Sequence, residues 1–160
     1  MQLNSPNLIR TLLNEKSVGV YETTSLGLSM FPLFKTGATI RCKAAELNSL
    51  KRGDIALFQR GEITVAHRIV EINSEGKIFT QGDSCLHKDE ELTNQNYICQ
   101  LFEVSYNKYL TFNERSIIWI IVKWTFLYIP FSHKINNVTC SILVRIKSRI
   151  DALRGCSNRA

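Results

Sequence analysis

Between residues 38 and 112 the chain runs in short β-branched and aromatic stretches: ATIRCK, DIALFQR, ITVAHRIVEI, KIFTQG and YICQLFEVSYNKYLTF. Alternation of apolar and polar positions, broken by Gly, Asn and Asp, predicts a mostly antiparallel sheet. The connections QRGE and NSEGK read as hairpin turns in which glycine takes positive φ. In ITVAHRIVEI the alternation sets Val65, His67 and Ile69 on one face and Ala66, Arg68 and Val70 on the other. Helical texture flanks this region. Ser5 and Pro6 followed by NLIRTLLNEK predict a short helix whose Leu8, Leu12 and Leu13 pack on the domain behind it.

Two more helices are predicted after the strands, in NERSIIWIIVKWTFLYIPF and NNVTCSILVRIKSRIDALRG. In the second, Leu143, Ile146, Ile150 and Leu153 share a face, Arg145, Lys147, Arg149 and Arg154 lie largely off it, and Gly155 is placed to stop the helix. The chain therefore divides into a β domain with its N-terminal helix, residues 1–112, and a hydrophobic, basic helical tail, residues 113–160. A hydrophobic content of 44% with 21% charged residues in 160 positions fits a globular chain.

Charge changes the picture only in the tail. Residues 1–132 hold 14 Lys and Arg against 13 Asp and Glu, while residues 133–160 hold six basic side chains against Asp151 alone. Such a tail suits an anionic membrane surface, and it lacks the aromatic interleaving that nucleic-acid binding would call for. The apolar stretch Ile117 to Phe131 falls short of the ~20 residues a spanning helix needs and carries Lys123 in its middle. It reads either as a cover for the β domain, as an in-plane helix with Trp119, Trp124 and Tyr128 at the headgroups and Lys123 snorkelling, or as a span that recruits its flanks. Residues 1–24 show no export signal or anchor. Membrane association, peripheral or through one C-terminal segment, is the expectation, with a cytoplasmic location as the alternative. The five cysteines are scattered without a C-x-x-C pair, so neither a disulfide framework nor a metal site is expected, and no cofactor is implied.

Chemistry gathers in four places. GLSMFP, residues 27–32, displays Ser29 between Leu28 and Met30, with Gly27 leaving room for an approaching group and Pro32 stiffening the exit. A serine nucleophile needs a base, and His67 is the histidine carried by a well-defined strand. FTQGDSCLHKDE adds a Gly82-Asp83 turn and, six residues on, a second carboxylate, Asp89. Serine, histidine and aspartate are the parts of a nucleophile, a general base and the group that orients it. Each has a plainer reading as a solvated serine, a core histidine or a turn-capping carboxylate.

Taken together, GLSMFP, KRGDIALFQ, VAHRIV and FTQGDSCLHKDE resemble, in order and spacing, the conserved boxes of the type I signal peptidases, over about Gly27 to Glu103. His67 stands where the commoner bacterial branch has lysine, so the chain resembles the Ser-His branch of the endoplasmic reticulum, archaea and spore-formers. It is most similar to small relatives from bacterial peptide-maturation gene clusters. The resemblance implies a coiled antiparallel sheet or barrel with one helix before it and two after. It implies Ser29 as nucleophile, His67 as base, Asp89 as the carboxylate on the imidazole, Asp83 and Gly82 supporting that loop, and Gly53-Asp54 as the turn into a core strand. The Ser29 N–H would hold the oxyanion, with Gly27 where some relatives place a serine hydroxyl. Ser84 replaces an asparagine frequent in the family, and the usual membrane anchor before the serine is absent.

The implied activity is serine endopeptidase cleavage of leader or signal peptides after small residues, the substrate pairing as an added strand beside LGLSM. Two readings compete with it. One is a non-catalytic peptide-binding module of the same fold, and the other an autocleaving regulator domain, which would use lysine as base and carry a DNA-binding domain in front.

Overall fold

The computed structural model describes residues 19–107, 110–129 and 132–157. Eight strands form a single antiparallel sheet: β1 (Tyr21–Thr24), β2 (Thr39–Lys43), β3 (Ile55–Arg60), β4 (Ile63–Ile72), β5 (Ile78–Gln81), β6 (Glu91–Leu92), β7 (Tyr97–Asn107) and β8 (Leu110–Asn113). The spatial order is β1-β2-β7-β3-β4-β5-β6, with β8 also on β7. Two helices follow, α1 (Ile117–Tyr128) and α2 (Ser132–Ser157).

The mainly β architecture expected from the alternation is the one adopted, but the sheet stays open, with β1 and β6 as its two ends, instead of closing into a barrel. The two glycine hairpins form where the turn chemistry put them. Gly61 (φ 60°) turns β3 into β4, and Gly76 (φ 79°) turns β4 into β5, where the Asn73 side chain accepts the N–H groups of Glu75 and Lys77. The long run from Tyr97 splits into β7 and β8. One edge of β7 pairs with β2; the other pairs with β3 as far as Leu101 and with β8 from Glu103 onward.

Its central place leaves β3 buried on both faces. Ile55 and Leu57 join one apolar cluster with Met30, Leu33, Phe34, Ile40 and Val104, while Ala56 and Phe58 join another with Val65, Ile69, Ile78 and Leu92. Each of these side chains larger than alanine stabilises the fold by about 1.5–3 kcal/mol through water removal.

α2 departs from its sequence reading at both ends, and at Lys123 and Trp119 α1 follows the covering alternative and not the in-plane one. α2 starts at Ser132, four residues before the predicted stretch, and continues past Gly155 to Ser157, a glycine near a helix end being tolerated there. Lys123 does not snorkel outward: its side chain lies over the turn at Gly53, whose φ of 94° and missing Cβ make the space for it. Trp119 is buried against the Met30 cluster, so α1 docks on the domain through one narrow face. The predicted helix at residues 5–16 and the α2 face at Leu143, Ile146, Ile150 and Leu153 lie outside the described residues and side chains. Among the described residues no helix is long and apolar enough to cross a membrane.

Candidate active site

β4 carries two fully buried polar neighbours, His67 at 1% exposure and Arg68 at 0%. Successive residues point to opposite sides of a strand, so the two engage different groups. His67 Nδ1 meets Asp89 Oδ2 at 2.6 Å, and the Phe58 ring stands edge-on to the imidazole with centroids 6.0 Å apart. Asp89 is fixed in turn: its Oδ2 accepts from Thr80 Oγ1 at 2.8 Å, its Oδ1 from the Arg60 guanidinium at 3.0 Å, and its N–H donates to the Thr80 carbonyl.

Burial disfavours the charged form of both partners, yet their mutual hydrogen bond and attraction win. Burial pushes the His67 imidazole down, but its hydrogen bond to Asp89, with the Cys85 sulfur nearby, lifts it above its ordinary value. Burial likewise pushes the Asp89 carboxyl up, and His67, Thr80 and Arg60 together bring it below the usual carboxylate range. A base of this kind works only when neutral, so kcat/KM should climb as pH rises through a limb lying above the ordinary imidazole value of about 6.5. Asp89→Asn removes the charge and the tautomer control, and is expected to lower that limb while cutting kcat by about 10³- to 10⁴-fold. A pH profile of kcat/KM for both proteins checks it.

Arg68 reaches the other way. Its Nε and Nη2 donate to Asp83 Oδ1 and Oδ2 at 2.8 and 2.7 Å, and its Nη1 donates to the Gly53 carbonyl at 3.1 Å. A bidentate guanidinium thus ties the Gly53-Asp54 turn to the Gly82-Asp83 turn across β4. The first turn is closed by Asp54 Oδ2 accepting from the Lys51 N–H and by Gly53 N–H donating to Ile69. Sequence alternation put Arg68 off the apolar face and gave it no role.

Ser29 lies on a turn anchored by Met30, which is 1% exposed. The Ser29 carbonyl accepts the Ser84 N–H at 2.8 Å, and Ser84 Oγ donates to the Phe31 carbonyl at 3.1 Å. Ser84 therefore stitches the two loops through both its backbone and its side chain. A second stitch comes from α2: Asn136 Nδ2 donates to the Phe31 and Asp83 carbonyls and to Ser84 Oγ, and Asn137 Nδ2 to the Ser84 carbonyl. No local pattern in NNVT signals this long-range contact.

Gly82 is the closest point of approach. A Cβ there would sit 2.7 Å from Cys85 Sγ, 2.8 Å from the Ser29 carbonyl oxygen and 2.9 Å from His67 Nε2. Gly82→Ala should therefore displace backbone as well as side chains, costing about 1–3 kcal/mol in denaturant unfolding and about 10²-fold in turnover. Gly27, by contrast, faces open space, with the Ser29 nitrogen 3.9 Å from where its Cβ would be. It leaves room beside the serine without being required by the backbone.

His67 Nε2 is buried without a hydrogen-bond partner, so Ser29 Oγ does not engage it in this resting arrangement. Both residues line the same cleft of about 510 Å³, together with Thr23 to Gly27, Ile63 to Ala66 and Cys85. Strand β5 joins β4 only from Arg68 onward, and β1 pairs only with β2, so both walls of the cleft present strand segments with one unpaired side. Among the described residues no group of three His, Cys, Asp or Glu side chains is placed to hold a metal ion. The chain matches no family model, no curated protein and no solved structure in these comparisons.

Proposed function

We propose that the chain is a serine endopeptidase of the signal-peptidase type, acting on leader or signal peptides after small residues. The observation that carries this reading is the carboxylate-held imidazole whose free Nε2 borders the cleft that contains Ser29. His67 Nε2 takes the Ser29 Oγ proton as the oxygen attacks the scissile carbonyl, and returns it to the leaving amine. Asp89 keeps the proton of the neutral ring on Nδ1 and stabilises the imidazolium that forms. The Ser29 backbone N–H receives the oxyanion, Gly27 adding space but no donor. An apo site in which the serine and histidine are not yet bonded is compatible with this, because such bonds tighten on substrate binding.

The cleft suits an extended peptide. Main-chain groups pair with the open sides of β1 and of the first half of β4, and small side chains fit between the two walls. Around the domain, Ile117, Ile121, Trp124 and Tyr128 recur at helical spacing on α1 and are 57–75% exposed. An apolar row of this kind next to a basic tail supports work at an anionic membrane surface.

The test is cleavage of a peptide with a small-x-small site, followed by mass spectrometry, with and without anionic vesicles. Cleavage after the second small residue, accelerated by vesicles, is the expected result. Binding without cleavage would instead favour the peptide-binding module.

A further inference from the structure

Cys85 sits where no part of the peptidase mechanism uses it. The residue is half-buried on the cleft wall, whereas Cys42, Cys99 and Cys140 are buried. The residue is held firmly, its N–H donating to the Gly82 carbonyl at 2.9 Å and its carbonyl accepting from Gln81 Nε2 at 2.8 Å. The turn so formed brings Sγ and His67 Nε2 together over Gly82, both within 3 Å of where a Gly82 Cβ would be. That nitrogen is the unpartnered polar atom of a histidine 1% exposed. A thiol on a cleft wall close to an unpartnered base is the environment in which cysteines react.

We propose that Cys85 is a modification site, a thiol that low-molecular-weight disulfides convert to a mixed disulfide within the catalytic cleft. The Cys85 proton passes to His67 Nε2, and the thiolate attacks one sulfur of the disulfide RS–SR. A new S–S bond forms to Cys85, the old one breaks, and the departing RS⁻ takes the proton from the imidazolium and leaves as RSH. Cys85 is oxidised and the small disulfide reduced; an external thiol reverses the exchange. The adduct then fills the cleft beside His67, so substrate is shut out. This last consequence rests on the peptidase reading, while the thiol chemistry does not.

The experiment incubates the full chain with glutathione disulfide and maps adducts by peptide mass spectrometry. Cys85 is expected to carry the adduct while Cys42, Cys99 and Cys140 stay reduced, and His67→Gln, which removes the base, should slow its formation about tenfold. Cys85 remaining unmodified, or reacting no faster than the buried thiols, overturns the proposal, as does equal reactivity in His67→Gln shown to be folded by circular dichroism. A fluorophosphonate probe of Ser29 separates the two readings. Labelling that falls on adduct formation and returns with dithiothreitol supports closure of the cleft. A Cys85 adduct on a chain that the probe never labels supports the thiol site and counts against the peptidase.

Discussion

Alanine at Ser29 or at His67 is expected to reduce cleavage of a small-x-small peptide by about 10⁴-fold or more, with the double variant no worse than the poorer single one. In the proposed mechanism the two groups act as a unit. Without Oγ there is no atom to form the acyl-enzyme, and without Nε2 the hydroxyl remains a weak nucleophile. Neither substitution should disturb folding equally. Ser29 is part-exposed and its carbonyl bond from the Ser84 N–H uses a backbone group that alanine retains, so its thermal unfolding should match wild type. His67→Ala leaves Asp89 with Thr80 and Arg60 but opens a hole beside Phe58, and a lower unfolding temperature is expected there. Steady-state kinetics beside a melting curve for each variant separates the effects. Undiminished turnover in Ser29→Ala would remove the serine as nucleophile, whatever happens at His67.

Much of this arrangement could be read along the chain because it depends on short-range rules. Period-two alternation marked β2 through β5, and the glycines of QRGE and NSEGK marked their hairpins, since positive φ at Gly61 and Gly76 is a local demand. The placement of His67 against Asp89 followed from the resemblance of the boxes, and the geometry brings the two side chains together. Other features depend on what packs from a distance. A polar residue in a strand reads as outward-facing, but β4 is covered on both sides, and Arg68 is buried because Asp83 and the Gly53 carbonyl come to it from two separate turns. The Asn136 and Asn137 contacts to Phe31, Asp83 and Ser84 join residues more than fifty positions apart, beyond any window of periodicity. β1 is only four residues of mixed exposure and takes its strand conformation from pairing with β2. Closure of a sheet is likewise a global property, which is why the open edges at β1 and β6 were not visible in the alternation.

The second large effect belongs to the Arg68–Asp83 pair and is one of stability. Both side chains have no exposed surface, and every contact between them is a charge-assisted hydrogen bond. Removing one partner strands the other charge in the interior, so Arg68→Ala or Asp83→Ala should each cost about 3–5 kcal/mol. For a chain of this size that corresponds to a fall in Tm of roughly 10 °C, at about 2–4 °C per kcal/mol. The double variant Arg68→Met with Asp83→Leu removes both charges and keeps apolar volume, and should be more stable than either single variant. That inequality is the test, because a pair merely filling space would give costs that add. Arg68→Ala should also slow cleavage at temperatures where it remains folded. The guanidinium spans the Gly53 turn and the turn carrying Gly82, and Gly82 packs directly against the Ser29 carbonyl and His67 Nε2. Loosening that bridge misplaces the nucleophile relative to its base, so kcat should fall with little change in KM, which a simple loss of folded protein would reproduce only in total activity and not per folded molecule.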